Sequence, residues 1–210
     1  MADDKMSNWG RWGADDQRGT LNLIGAKHIQ QAAGLVRRGK VYSLAVLLDK
    51  DGPIATTRSP LWHRTTISTR PAPSHSGIDD IIVMHTHGTT HIDALCHIFY
   101  DNQMYNGYRV DEVVTPINGA GRNGVHNIGS IVGRGVLLDV AGYRSLDHLP
   151  KSEVIGPAEL DACARAQGVE IMAGDIVLIR TGWMRVFSED RALFDSGSPG
   201  PGAQPRWWRQ

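Results

Sequence analysis

The stretch from His85 to His97 reads H-T-H-G-T-T-H-I-D-A-L-C-H and holds four of the nine histidines in the chain, with Asp93 among them. Imidazole nitrogens and carboxylate oxygens are ligands that zinc, manganese and iron accept. His87, His91 and Asp93 stand at i, i+4 and i+6, and His97 follows at i+10. The run before them, Ile81-Ile82-Val83-Met84, reads as a buried strand, so the cluster opens at a strand end where a metal site with a free position can be built. Gly88, Thr89 and Thr90 suit a tight turn between the first and second ligand, because Gly allows a positive φ and Thr can hydrogen-bond the backbone. The plain alternative is that loop histidines are merely solvated, and the crowding argues against it. His85 lies two residues before His87 on the same strand face. It is read as a ligand, an outer partner of a ligand or a packed strand residue.

The elements that must position these groups are legible in part. Residues 1–8 are polar and read as a disordered N-terminus. Trp9 and Trp12 sit among glycines and charges, either covering the edge of the core or lining a pocket for an aromatic substrate. Ala26 to Arg38 is predicted as a helix with Ile29, Ala32, Ala33 and Val36 on one face and Gly39 as its cap. Val41 to Leu48 follows as a strand. Residues 54–78, with Pro60, Pro71 and Pro73, read as a long excursion of the kind that often serves a binding site. Trp62, His63 and His75 fall there, and their spacing names no role. After the histidine stretch, Tyr105 and Tyr108 are candidates either for substrate contact or for packing.

Further on, Gly133 to Val140 reads as a buried strand. A helix opens at Gly156-Pro157, with Leu160, Cys163 and Ala164 inward and Gly168 as cap. Ile176 to Arg180 is another buried strand, and Trp183 to Phe194 a short amphipathic helix. One domain is expected over 9–198. Residues 199–210, S-P-G-P-G-A-Q-P-R-W-W-R-Q from Ser198 onward, form an irregular tail that builds no element.

Composition narrows the function classes. A length of 210 residues with 41% hydrophobic and 21% charged residues describes a globular chain with room for a core. Lys plus Arg and Asp plus Glu are 22 each, with pI near 7.1, which gives no footprint for nucleic acid or an anionic membrane. The N-terminus lacks a secretory pattern, and no run approaches the ~20 apolar residues of a spanning helix. Two cysteines, Cys96 and Cys163, make neither a disulfide framework nor a zinc knuckle. A cytoplasmic protein without nucleic-acid or membrane partners is the expectation.

The segment H-G-T-T-H-I-D-A-L-C-H resembles the motif H-x-G-T-H-x-D-x-P-x-H of the cyclase-family metal-dependent hydrolases, which include kynurenine formamidases (arylformamidases) and isatin hydrolases. W-G-A-D-D-Q-R-G-T-L-N near the start, G-V-L-L-D-V in the middle and G-D-I-V-L-I-R-T-G-W late also look like that family. The resemblance implies a mixed α/β fold, a swivelling β/β/α domain of mixed β-sheets with flanking helices. It implies metal ligation by His87, His91 and Asp93, with zinc or manganese as the metal. It implies that His97 is a general acid or base, and that the protein is a homodimer or larger homo-oligomer acting on a small-molecule substrate. The sequence departs from the motif where Gly88-Thr89 stand in place of x-Gly and Leu95 in place of Pro. The family also continues beyond the length of this chain, with a further His and Glu near the metal that have no counterpart before Gln210. A C-terminally truncated domain is therefore expected.

Two functions follow as expectations. One is hydrolysis of an aryl formamide or cyclic amide, as in tryptophan catabolism to kynurenine or in isatin cleavage, by a metal-activated water with His97 moving the proton. The other is an inactive or partner-dependent metal-binding fragment. A third possibility, a structural domain with incidental histidines, is the weakest of the three.

Overall fold

A computed structural model describes residues 7–71 and 75–202. The chain divides into two units. The larger joins Met1–Gly39 to Ala94–Gln210, and the smaller is Lys40–Asp93.

In chain order, the larger unit opens with a 3-10 turn, Gly19–Leu23, and helix α1, Ala26–Gly34. The smaller unit contributes strands β1, Trp62–Ser68, and β2, Gly77–Val83. The larger unit resumes with α2 (Val110–Val113), β3 (Val114–Thr115), β4 (Gly119–Ala120), β5 (Gly135–Asp139), α3 (Val140–Tyr143) and β6 (Val154–Ile155). It ends with α4 (Pro157–Ala166), β7 (Ile176–Arg180), α5 (Trp183–Glu189), α6 (Arg191–Asp195) and β8 (Gly200–Pro201). Among the described residues these strands form small sheets: antiparallel β1–β2 and β3–β4, and parallel β5–β7 and β6–β8. The class is mixed α/β, small sheets with flanking helices. No described helix is long and apolar enough to cross a membrane.

The core lies where β5 meets α4. Along β5 the burial alternates, with Val136 and Leu138 buried and Leu137 52% exposed, so only one face of the strand is covered. That corrects the expectation of a buried strand from Gly133 to Val140. Helix α4 starts as its sequence requires: Pro157 occupies the first turn, where a missing N–H costs nothing, and Gly168 beyond its end takes φ +67. Its inward residues Leu160, Cys163 and Ala164 join Leu138, Val140, Leu149 and Ile155 in one apolar cluster. Strand β7 is half-buried rather than buried.

A charged clamp fixes how β5 and β7 begin. The Arg134 guanidinium donates to both oxygens of Asp175, at 2.9 and 2.6 Å, and to the carbonyl of Glu170. Burial opposes ionisation of Asp175, but the bonds from Arg134 and from the Met172 N–H outweigh it and hold the carboxyl below the usual range.

Several expected boundaries move. The first helix ends at Gly34 rather than Arg38, and Leu35 and Val36 beyond it are exposed, so the apolar stripe finds no surface to pack on. Val41 to Leu48 is not a strand: it pairs with no strand among the described residues, and Val41, Leu44 and Leu47 face solvent. The excursion at 54–78 contains β1 and the start of β2. Strand β2 is exposed along its length, because the β1–β2 hairpin carries no second layer within its unit. The helix expected from Trp183 to Phe194 breaks at Asp190, whose extended backbone and carboxylate cap α6 through the Leu193 N–H. The tail is less idle than expected, since Pro199 is buried and Gly200–Pro201 pairs with β6. Most of the polar N-terminus and the Trp207-Trp208 pair lie outside the described residues.

Two outcomes are expected in chemical denaturation. Leu138→Ala should destabilise the protein by about 2–5 kcal/mol, whereas Leu137→Ala should cost well under that, because only the first leaves a cavity. Asp175→Asn should remove stability at neutral pH but little in acid. A carboxylate held below its unfolded pKa of about 3.9 contributes fully above that value and loses its contribution as pH falls through the folded one. A pH-independent destabilisation would show that the clamp is not ionic.

Candidate metal centre

The smaller unit leaves β2 at Val83 and runs without regular structure through Asp93. Its shape is set by a few polar ties. Arg58 donates to the His87 carbonyl at 2.7 Å, and the Val46 N–H donates to Thr90 Oγ1 at 2.8 Å. Gly88 does not take a positive φ. The glycine that space demands is instead Gly52, buried, where an added Cβ would sit 3.1 Å from Thr89 Cγ2 and 3.0 Å from a backbone oxygen.

Within this loop Asp93 Oδ1 lies 2.7 Å from His87 Nδ1 and 3.3 Å from His91 Nε2. The two imidazoles meet edge to face, with centroids 5.1 Å apart. His91 Nδ1 is 2.6 Å from the Thr89 carbonyl. A carbonyl only accepts, so Nδ1 donates to it, and Nε2 is the nitrogen turned toward the Asp93 oxygen. Fixing a histidine by its far nitrogen in this way is how metal-ligating imidazoles are usually held. His87 is half-buried, and Asp93 is 49% exposed. Each of the two imidazoles thus has a nitrogen close to the solvent-accessible Asp93 carboxylate, and imidazole and carboxylate are donor types that suit zinc or manganese.

The structure places the other expected residues as follows. His85 falls past the end of β2 and is exposed, so it is not a packed strand residue. It lines a recess of about 10 Å3 with Gly88 and Thr89. His97 belongs to the larger unit, on a turn that begins immediately after Asp93 in the chain; it is half-buried, and its N–H donates to the Ala94 carbonyl at 2.9 Å. Tyr105 and Tyr108 are anchors. The Tyr105 hydroxyl donates to Asp16 at 2.8 Å, and burial together with that carboxylate pushes its pKa up. Tyr108 donates to the Ala14 carbonyl. Trp9 packs against Gly107, and Trp12 lies under the Arg11 guanidinium, so both indoles are surface packing.

A cavity of about 440 Å3 in the smaller unit is walled by Leu48, Leu61, Trp62 and Ile82, with His63 beside them. It shares Leu48, Asp49, Lys50 and Leu61 with the recess lined by His85, Gly88 and Thr89. Spacing gave Trp62 no role, because its meaning comes from strand β1. The β-branched run Thr65-Thr66-Ile67 was the signal for that strand.

A model of the putative cyclase family matches residues 42–208. A solved structure described as that of a novel cyclase is similar at a TM-score of 0.87 and 33% identity, over 95% of this chain and 72% of that one. No curated protein matches the chain.

Asp93→Ala is expected to abolish divalent-metal binding, measured by titration calorimetry with zinc and with manganese. Loss of even an outer partner typically costs about 10–100-fold in affinity, and here the only charge in the donor set goes. Unchanged affinity would remove Asp93 from the site.

Proposed function

Because the chain belongs to the putative cyclase family, we propose that it is a metal-dependent hydrolase of an aryl formamide or a cyclic amide, in the manner of kynurenine formamidases or isatin hydrolases. The observation that carries this reading is the seat of Asp93 Oδ1 against His87 Nδ1 and His91 Nε2, with the far nitrogen of His91 fastened to the Thr89 carbonyl.

A divalent ion, zinc or manganese, held by His87, His91 and Asp93 supplies Lewis acidity to the amide carbonyl and to a water nucleophile. The residues of the chain do the rest. Asp93 offsets part of the cation's charge. His91, held by its Nδ1 bond to the Thr89 carbonyl, turns Nε2 toward the ion's position. His97 accepts a proton from the attacking water and delivers it to the nitrogen that leaves, as a general base and then a general acid. The apolar wall of Leu48, Leu61 and Trp62 suits a planar aryl group, and this supports an aryl or benzo-fused amide over an aliphatic one.

Zinc- or manganese-loaded protein should hydrolyse N-formylkynurenine or isatin. If it turns over neither of them, nor any related lactam, lactone or aryl amide, the reading fails. A second reading, a metal-binding chain that needs a partner for activity, is favoured by the apolar side chains of the smaller unit. Val41, Leu44, Leu47, Ile67 and Ile78 stay uncovered in a single copy. Self-association into a dimer or larger homo-oligomer belongs to both readings, and light scattering that gives a clean monomer would count against it.

His97→Asn should lower kcat by about 10²–10⁴-fold while leaving metal content near normal, because Asn fills similar space but transfers no proton. Loss of metal in the variant would make His97 a ligand. Full activity would make it a bystander.

A further inference from the structure

The turn that carries His97 is held by a polar frame built from the N-terminal loop, all within the larger unit. The Cys96 N–H, next to His97, donates to the Asn123 carbonyl at 3.2 Å. Asn123 is 1% exposed and takes φ +58, a conformation Asn tolerates better than most residues. Its side-chain amide donates to the Tyr105 carbonyl at 2.8 Å, and its own N–H donates to Gln17 Oε1 at 2.8 Å. The same Gln17 oxygen accepts from Asn127 Nδ2 at 3.2 Å. Gln17 is in turn placed by its neighbour: the Asp16 carboxylate accepts from the Gly19 N–H, Asn22 Nδ2 and the Tyr105 hydroxyl, at 2.9, 2.7 and 2.8 Å. Packing reinforces the frame, because a Cβ at Gly19 would meet Leu95 Cδ1 at 3.3 Å.

We propose that Gln17 is a positioning residue for His97, acting through Asn123 and the Cys96 peptide. The proposal rests on the reading of His97 as the proton carrier. The physical reason is the Asn123 N–H, buried in a left-handed residue where no helix or sheet ladder supplies an acceptor. The Gln17 oxygen is that acceptor. Without it the backbone on both sides of the Asn123 Cα readjusts to give the N–H another acceptor, the Asn123 carbonyl that receives the Cys96 N–H shifts in that readjustment, and the His97 backbone shifts with it. Misplacement of a catalytic group by about 1 Å can cost about 10²-fold in rate.

Six proteins test this: the wild type, Gln17→Met, Gln17→Glu, Gln17→Ala, His97→Asn and the double variant Gln17→Met with His97→Asn, each loaded with zinc. Methionine keeps the length and loses the oxygen, whereas glutamate keeps an acceptor for both N–H groups. Gln17→Met should lower kcat by about 10–100-fold with KM and metal content unchanged. Gln17→Glu should restore most of it. In the His97→Asn background Gln17→Met should cost nothing further, since there is no proton carrier left to misplace. An equal loss in both backgrounds, or no loss in either, overturns the proposal. So does failure of both Gln17→Met and Gln17→Ala to fold, which would make Gln17 structural.

A readout independent of activity separates this proposal from the functional one. Alkylation of Cys96 by iodoacetamide should quicken in Gln17→Met but not in Gln17→Glu, with the buried Cys163 as internal reference. Equal rates in all variants overturn the frame whether or not the protein hydrolyses an amide.

Discussion

Where the chain can remove apolar surface from water decides the rest. Every hydrophobic side chain that is buried among the described residues lies in the larger unit, most of them where β5, α3 and α4 meet. Among the described residues of the smaller unit only Gly52 and Pro53 are buried. Ordering a residue costs about 1–2 kcal/mol of backbone entropy, and burial returns roughly 25 cal/mol per Å2 of apolar area. The larger unit has that return within its own residues. The smaller unit, with Val41, Leu44, Leu47, Ile67 and Ile78 in solvent, does not. Its β1–β2 hairpin is a single layer, and an isolated hairpin is marginal at best.

The donor cluster sits in the unit with no apolar core, so its geometry depends on directional bonds. Arg58 holds the His87 carbonyl, Thr90 holds the Val46 N–H, and the Thr89 carbonyl holds His91. Gly52 matters for the same reason. Without its bare Cα, Thr89 could not approach its backbone, and the carbonyl that orients His91 would have to move. Thr89 stands where the family motif has glycine, and in this chain the residue acts through its backbone, which explains why the departure leaves the donors in place.

The sequence disclosed elements whose signals are local. Pro157, Gly168 and the Leu160-Cys163-Ala164 face marked α4 within a residue or two. Signals that depend on what lies opposite a segment were misread. Val41 to Leu48 has a strand's composition but no partner, and β2 has a core strand's composition but nothing over it. The tail at Gly200–Pro201 looked inert because its pairing with Val154–Ile155 is long-range. Gln17 and Asn123 were invisible for a similar reason. An exposed-looking Gln in a charged loop gains meaning only when a left-handed peptide about a hundred residues later needs an acceptor.

The boundary between the units falls directly after Asp93, so the candidate ligands and the candidate proton carrier belong to segments stabilised in different ways. Local opening in a protein is governed by the burial and hydrogen bonding of each segment rather than by the global stability. The loop holding His87, His91 and Asp93 has exposed side chains and few ties, so it is the segment a bound cation would order, and ordering would be linked to metal by mass action. The turn at Ala94 to His97 needs no such help, since Asn123, Gly19 and the Asp16 carboxylate already fasten it to the unit with the core. The candidate proton carrier therefore stands on the segment tied to the core, and the candidate ligands stand on the segment with fewer ties.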